Sequence, residues 1–269
     1  MSMSELSHLI VTGSSGPPSR TMFVLHGILG SLRNWKTMAR AVVRAHPQWR
    51  VVLVDLRNHG DSHGFSAPHT LSSCAADLAE LALKLDMRPE LVVGHSFGGK
   101  VALAYGRDFP DGLATIWVLD SNPAARPPEK AGGTDVVRVI EALDAIVMPL
   151  NKRDDIVRLL SERGFSETLG RWMTTNLRRQ EQGYVWRFEL DAVRDMLDDY
   201  EEVDLVPWVN DTVIDVHLLW AERSTQWNEQ VASRLQGASN VTHHFLANAG
   251  HWVHADDPQG VLDALATTL

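Results

Sequence analysis

The residues Gly94-His95-Ser96-Phe97-Gly98 form the strongest chemical motif in the chain, a serine with a glycine two residues away on each side. The motif directly follows the apolar run LVV and directly precedes a segment with helical character. In a strand–turn–helix setting this spacing is typical of a nucleophile elbow, a tight turn that lifts a serine hydroxyl above the carboxyl end of a sheet. Gly94 and Gly98 leave the room that such a turn demands. The pattern therefore predicts Ser96 as a nucleophile at a helix N-terminus, where the helix dipole favours developing negative charge.

A serine hydroxyl is a poor nucleophile until a base takes its proton. In chains with this elbow, the histidine that acts as base comes last in sequence, after the final strand. His251 occupies that place, because it follows the run VTHHFL and precedes the last helical segment. His254 is its nearest competitor. We expect packing as the role of His95, and a solvated or loop-bracing role for His59 and His63.

The acid that orients the histidine has two candidates. Its usual position is the loop after the penultimate strand, where this chain has Ser224 instead of an aspartate. Glu222 ends that same strand two residues earlier, and Asp120 ends the preceding strand, ATIWVLD, at the same edge of the sheet. Adjacent parallel strands lie only ~4.8 Å apart, so a carboxylate at the end of either strand can meet the imidazole. Position alone therefore does not decide which of the two orients the histidine. Ser224 is expected to add a hydrogen bond to the histidine–acid pair.

Backbone N–H groups are needed to stabilise the negative oxygen of the transition state. The pattern predicts one from Phe97, directly after the nucleophile, and a second from Ile28 in the loop HGILG after the first central strand. This loop lacks the glycine patterns that cradle phosphates. The chain also lacks an H-E-x-x-H motif and a Cys/His cluster, so we expect no metal and no cofactor.

The sequence around these residues alternates between patterns typical of strands and patterns typical of helices. This alternation indicates βαβ units and a mostly parallel sheet. The strand candidates are residues 6–12, 22–26, 51–55, 91–95, 114–120, 216–221 and 241–246. The helix candidates between them are residues 32–45, 71–86, 97–108, 226–236 and 258–268. Asp257 and Pro258 give the last helix a capping residue and a proline at its first position.

The alternation stops after Asp120 and resumes near residue 213. Residues 123–133 form a linker rich in proline and glycine. The sequence that follows, up to about residue 200, has a pattern typical of helices alone. We therefore predict three parts. Residues 1–122 and 211–269 form the catalytic core, and residues 123–210 form an all-helical cap over the sheet edge.

The composition excludes several classes of protein. With 25 Lys and Arg against 34 Asp and Glu, the formal charge is −9, and without a basic cluster we expect no nucleic-acid partner. The single cysteine, Cys74, excludes an internal disulfide and removes thiol nucleophiles. Apolar runs such as LATIWVL are far shorter than the ~18 residues of a membrane span, and the N-terminus does not look like a signal peptide. We expect a cytoplasmic protein without membrane insertion, and no feature sets its oligomeric state.

Taken together, the motifs resemble the α/β-hydrolase family over essentially the whole chain. The stretches that carry the resemblance are HGILGS with a following tryptophan, DLRNHGDS at 55–62 and GHSFGGK at 94–100. The DLRNHG form, WRF at 186–188 and GHWVH at 250–254 are similar to one branch of the family. That branch contains small bacterial esterases, abhydrolase-domain proteins and ethanol acetyltransferases.

The resemblance also implies roles for individual residues. In several members of this branch the acid ends the strand that follows the nucleophile helix, a position that Asp120 matches, with Glu222 as the reserve. Asp55 is implied to brace the loops around the site. Ser96 would attack an ester carbonyl and His251 would carry the proton.

The implied activity is that of a serine carboxylesterase for small-molecule esters with short to medium acyl chains, working through an acyl-enzyme intermediate. Acyl transfer or thioester cleavage by the same triad is an alternative, and a slow or non-catalytic ligand-binding member is another. Tryptophans of the cap and of the loop beside the base are candidates to line an acyl pocket. They are Trp172, Trp186, Trp208 and Trp252, at least half of which we expect to be ordinary core aromatics.

Overall fold

The computed structural model of the chain describes residues 4–14, 16–126, 135–226, 229–235 and 237–269. The strands are β1 (His8–Thr12), β2 (Arg20–Leu25), β3 (Trp49–Val54), β4 (Leu91–His95), β5 (Thr115–Leu119), β6 (Leu177–Gln180), β7 (Gly183–Trp186), β8 (Asp215–Ala221) and β9 (Val241–Leu246). Seven of them form one sheet in the order β1-β3-β2-β4-β5-β8-β9, in which only the β1–β3 pair is antiparallel. The predicted mostly parallel sheet is confirmed.

Helices follow the strands at the predicted places. They are α1 (Lys36–Ala45), α2 (Leu71–Leu85), α3 (Phe97–Asp108), α4 (Asp135–Asp144), α5 (Asp155–Ser161), α6 (Glu167–Thr174), α7 (Leu190–Glu202), α8 (Val206–Asp211), α9 (Glu229–Arg234), α10 (Val253–Asp256) and α11 (Pro258–Leu265). The helix predicted over 32–45 begins with a 3-10 turn, Leu32–Trp35. The helix predicted over 226–236 is α9, and residues 227, 228 and 236 lie outside the described residues. At α11, Asp257 caps the helix by accepting the N–H of Gly260, as predicted.

The central strands are apolar on both faces because each face is covered by helices. In β4, Val92 packs in the cluster with α2 and α3, whereas Val93 packs in the cluster with α1 and α11. Both side chains are buried. Burial of each such valine stabilises the fold by about 1.5–3 kcal/mol. The two-sided core fixes the sheet, and with it the carboxyl edge where the candidate site residues lie.

The segment between β5 and β8 contains helices α4 to α8, but it also contains the antiparallel hairpin β6–β7. The expectation of an all-helical cap is wrong in this detail. Each strand of the hairpin has only four residues. In so short a strand, the alternation of apolar and polar residues cannot be distinguished from the helical pattern around it. Most of the predicted linker, residues 127–133, lies outside the described residues. The boundaries at 123 and 210 remain a prediction.

Among the described residues, no helix has both the length and the apolar character needed to cross a bilayer.

Candidate active site

The turn between β4 and α3 holds Ser96 in a strained backbone conformation, with φ of 52° and ψ of −122°. The two glycines of the motif are required by close approach. A Cβ at Gly94 would lie 2.0 Å from the carbonyl oxygen of Gly98, and one at Gly98 would lie 2.5 Å from that of His26. Strain of this kind persists only where the surrounding structure enforces it, and it is frequent at functional sites. The turn has the geometry predicted for a nucleophile elbow.

Three side chains from distant parts of the sequence form one hydrogen-bond chain at the carboxyl edge of the sheet. The Ser96 Oγ lies 3.0 Å from Nε2 of His251, and Nδ1 of His251 lies 2.7 Å from Oδ2 of Asp120. Asp120 is fully buried, and its other oxygen accepts the N–H of Ala221 at 3.0 Å. A carboxylate can only accept, so His251 carries its proton on Nδ1 and presents the lone pair of Nε2 to the serine. The arrangement can deprotonate Ser96 and stabilise the imidazolium that results.

The other two candidates near the acid position have different partners. Glu222 is exposed, and its Oε2 accepts the N–H of Asn248 at 3.0 Å. The Ser224 hydroxyl accepts the N–H of Gln226 at 3.3 Å within its own turn. The structure thus brings Asp120, and neither Glu222 nor Ser224, to the imidazole of His251. The expected hydrogen bond from Ser224 to the histidine–acid pair is not formed.

The loop predicted to supply an oxyanion donor lies directly against the nucleophile. A Cβ at Gly27 would lie 3.1 Å from Cβ of Ser96, so this loop passes the serine at van der Waals distance. A turn closes it, with the N–H of Gly30 donating to the carbonyl of Gly27 at 2.9 Å. The N–H of Leu29 is already used, since it donates to His59. The roles of the Ile28 and Phe97 N–H groups remain predictions that this placement suits.

Two buried histidines, His26 and His59, brace these loops. In each ring Nδ1 donates to a backbone carbonyl, and Nε2 accepts a backbone N–H, from Leu56 for His26 and from Leu29 for His59. Burial lowers the pKa of His26 to about 4 and that of His59 to about 3. Both rings are therefore neutral, and protonation at Nε2 would break a hydrogen bond that shapes the site. The loop-bracing role expected of His59 is confirmed, while the contribution of His26 was missed.

This pair predicts a pH-dependent stability. The unfolded chain binds protons on both histidines below about pH 6.5, whereas the folded chain does not until about pH 4 and pH 3. The contribution of the two histidines to the free energy of unfolding is complete above pH 6.5. It decreases by up to about 1.4 kcal/mol per pH unit for each ring as the pH falls toward the two folded-state pKa values. His59→Gln keeps a neutral acceptor. We expect this variant to lower the slope of the free energy of unfolding against pH by about 1.4 kcal/mol per pH unit between pH 6 and 4. Urea unfolding at a series of pH values measures it, and equal slopes for both proteins would contradict it.

His95 has a more specific role than the expected packing. Its Nε2–H donates to the backbone carbonyl of His251 at 2.7 Å, although the two residues lie 156 positions apart in sequence. The His95 ring is buried, and the His251 ring lies 5.0 Å away between centroids. The ring of His254, the other candidate for the base, packs against Trp35 with 4.9 Å between the ring centroids. The hydrogen bond to Ser96 is made by His251 instead. His95 is therefore a positioning residue that anchors the loop of the base to the elbow.

Lys100 is a second feature that sequence reasoning missed. This lysine is buried four residues after the nucleophile, and its Nζ donates to the carbonyls of Ala124, Tyr200 and Val203 at 2.9, 2.5 and 2.8 Å. These carbonyls lie near the two ends of the segment between β5 and β8. Burial lowers the pKa of Lys100 to about 7. A single amino group thus ties both ends of that segment to helix α3.

Asp55 binds the backbone as the resemblance implies. Its Oδ1 accepts the N–H of Leu32 at 2.7 Å, and its Oδ2 accepts that of Asp61 at 2.9 Å. Cys74 is buried in the core, where burial raises the pKa of its thiol. The described residues offer no group of three or more His, Cys, Asp or Glu side chains placed to hold a metal ion.

The four candidate tryptophans divide into two groups. Trp172 of α6 and Trp252 beside the base face each other, with ring centroids 5.7 Å apart, and Trp252 is 37% exposed. Trp186 stacks on Phe188 within the hairpin region, and Trp208 packs against Gly106 of α3. Trp252 directly follows His251 in sequence, so the first pair is the better candidate to contact a substrate.

Comparisons with known proteins agree with this geometry. The model of the Alpha/beta hydrolase family matches residues 22–264. The sn-1-specific diacylglycerol lipase ABHD11 of Mus musculus is 29% identical over 272 residues, which cover 98% of this chain and 85% of the lipase. A probable alcohol acetyltransferase of Saccharomyces cerevisiae is 25% identical and covers 93% of this chain and 77% of its own. The solved structure of a marine microorganism esterase, 24% identical, covers 99% of this chain and all of its own with a TM-score of 0.85, which shows a shared fold.

Proposed function

Because the chain belongs to the alpha/beta hydrolase family and is an enzyme of its esterase and lipase type, we propose that it is a serine carboxylesterase. Its substrates are small-molecule esters with short to medium acyl chains. The resemblance inferred from the motifs is confirmed at the level of the family. The observation that carries the proposal is the unbroken hydrogen-bond chain from Asp120 through His251 to Ser96.

The proposed reaction has two halves. In the first, the Ser96 Oγ attacks the ester carbonyl carbon while His251 Nε2 takes the hydroxyl proton, and the carbonyl oxygen becomes an oxyanion held by the N–H groups of Phe97 and Ile28. His251 then gives the proton to the leaving alcohol, which breaks the C–O bond and leaves an acyl group on Ser96. In the second half, water gives its proton to His251 and attacks the acyl carbon. Collapse of that intermediate releases the acid and returns the proton to Ser96.

The preference for apolar acyl chains rests on the Trp172–Trp252 pair. Trp252 directly follows the base in sequence, and a large exposed apolar side chain beside a reactive group offers surface to bury. An acyl chain that covers this pair would gain about 0.8 kcal/mol for each CH₂ group removed from water.

Labelling with a fluorophosphonate probe tests the proposal. We expect one probe adduct per chain, on the peptide that contains Ser96, together with turnover of p-nitrophenyl butyrate that the probe abolishes. Mass spectrometry of the digested protein locates the adduct. The absence of both labelling and turnover would overturn the proposal and favour a non-catalytic ligand-binding member.

A second candidate is acyl transfer from the same acyl-enzyme to an alcohol. It is supported by the relative from Saccharomyces cerevisiae, which is named a probable alcohol acetyltransferase. Hydrolysis of p-nitrophenyl acetate in the presence of ethanol separates the two, because transfer yields ethyl acetate in place of acetate. Acetate as the main product at moderate ethanol concentration supports the esterase.

A further inference from the structure

The face of the hairpin β6–β7 that meets the catalytic core carries an unusual set of cationic side chains. The N–H of Arg187 donates to the carbonyl of Asn176, which extends the ladder that pairs Arg178 with Val185. Alternate residues of a strand point to the same face, so Arg178 and Arg187 project from one side of the hairpin. Two side chains on this side have acceptors in the core, namely the backbone carbonyl of Leu29 for Asn176 and the carboxylate of Asp61 for Arg187.

Three buried side-chain nitrogens at this face lack a hydrogen-bond partner among the described residues. Within the described residues, the buried Nε–H groups of Arg178 and Arg187 make no hydrogen bond, and neither does the buried Nε2 of His63 on the facing loop. Burial and the positive charge of Arg178 lower the pKa of His63, and Arg187 acts in the same direction. Arg178 shares its face of the hairpin with Arg187, and Arg187 binds Asp61, two residues before His63, so these side chains form one cluster together with Arg33 beside Asp61. A buried polar nitrogen left unpaired costs about 1–3 kcal/mol, so three in one cluster favour the binding of a partner from outside the chain.

The charges in this cluster do not balance. Arg33 lies 3.6 Å from Asp61, which it shares with Arg187, and the other carboxylate that acts on His63 belongs to Glu189. Three guanidinium groups thus face two carboxylates. A local positive excess in a chain of net charge −9 is not explained by the overall composition. Water would satisfy the hydrogen bonds but would leave this excess in place.

The strand that carries Arg178 is hydrogen-bonded to the candidate oxyanion loop. Asn176, two residues before Arg178, donates to the carbonyl of Leu29 at 2.7 Å, and Leu29 directly follows Ile28 in the candidate oxyanion loop. Two residues of a strand span about 7 Å, so the backbone of Arg178 lies about that far from the residue that holds the candidate oxyanion loop.

We propose that the cluster of Arg33, His63, Arg178 and Arg187 binds the carboxylate or phosphate group of an acidic ester substrate. The proposal rests on the proposed function for its substrate clause. A planar guanidinium matches the two oxygens of such an oxyanion, and the unpaired Nε–H groups supply the donors. The enzyme would thus favour esters whose acyl or alcohol part ends in an acidic group.

Binding of inorganic phosphate tests the site without any need for turnover. We expect phosphate to raise the Tm of the full chain in a concentration-dependent manner, relative to potassium chloride of equal ionic strength. Arg178→Gln should abolish this rise and Arg178→Lys should retain part of it. Arg179→Gln is the matched control, because Arg179 is the exposed neighbour on the opposite face of the strand and should leave the rise unchanged. An equal rise in Arg178→Gln and wild type would overturn the proposal.

A pair of substrates tests the clause on specificity. The mono-p-nitrophenyl ester of glutaric acid ends in a carboxylate, and p-nitrophenyl butyrate is its neutral counterpart. Arg178→Gln should raise KM about tenfold for the acidic ester, as loss of a charge-assisted hydrogen bond implies, with less than a twofold change for the neutral ester. An equal change for both esters, or none for either, would overturn the proposal. If wild type hydrolyses neither ester, the proposed function fails, and the phosphate measurement still decides whether the site exists.

Discussion

Ser96→Ala is expected to lower kcat/KM for p-nitrophenyl butyrate by at least ~10⁴-fold. The hydroxyl is the only part of this side chain that the reaction uses, and its removal leaves the triad without a nucleophile. Residual turnover would come from the oxyanion donors and from binding alone. Alanine fits the same turn, because the close contacts of the elbow are made by Gly94 and Gly98 and not by the serine oxygen. The Tm should therefore stay within a few degrees of wild type, which separates lost chemistry from lost folding.

Ser224→Ala is the matched control for this experiment. It removes the same atom from a second serine in the same region, whose hydroxyl bonds only within its own turn. We expect its activity to stay within about twofold of wild type. If Ser96→Ala retained activity while Ser224→Ala did not, the assignment of the nucleophile would be wrong.

Asp120→Asn is expected to cost about 10⁴-fold in kcat, although the two side chains have the same shape. The carboxylate can only accept, and it therefore keeps the His251 proton on Nδ1. An amide presents N–H donors as well and favours the opposite tautomer, with the proton on Nε2, where the lone pair is needed for the serine. Initial rates with p-nitrophenyl butyrate at saturating concentration measure the effect.

Glu222→Gln makes the same chemical change in the other candidate acid. The Glu222 carboxylate accepts one N–H from Asn248, which an amide oxygen can also accept. We expect kcat to change by less than about twofold. The reverse order, with Glu222→Gln inactive and Asp120→Asn active, would make Glu222 the acid and would require a rearrangement of the loop after β8.

The sequence predicts the sheet, Ser96 and His251 because each follows from a local pattern. An apolar run before a glycine-flanked serine identifies the elbow without reference to the rest of the chain. No local pattern decides between Asp120 and Glu222, because the two residues end neighbouring strands at the same edge of the sheet. It depends on a tertiary detail, the turn at Asp120 with φ of 46°, which directs its carboxylate under the imidazole while Glu222 points to solvent. The family resemblance supplied what position alone left open.

His95 and Lys100 were missed for a common physical reason. Their partners are backbone carbonyl oxygens, which every residue possesses, and those partners lie 156 and up to 103 positions away in sequence. A residue type cannot indicate such a partner. The only signal in the sequence is a charged side chain in an apolar stretch, as Lys100 is within the first ten residues of helix α3.

The three hydrogen bonds of Lys100 also limit how the site can open. Burial lowers the pKa of Lys100 to about 7, so we assign each bond the ordinary contribution of about 0.5–1.5 kcal/mol, and releasing all three together would cost about 2–5 kcal/mol. Detachment of both ends of the segment is opposed by this amount, whereas a movement of its middle breaks none of the three bonds. Ser96 directly precedes the helix that carries the lysine, so the segment is tied to the element that positions the nucleophile.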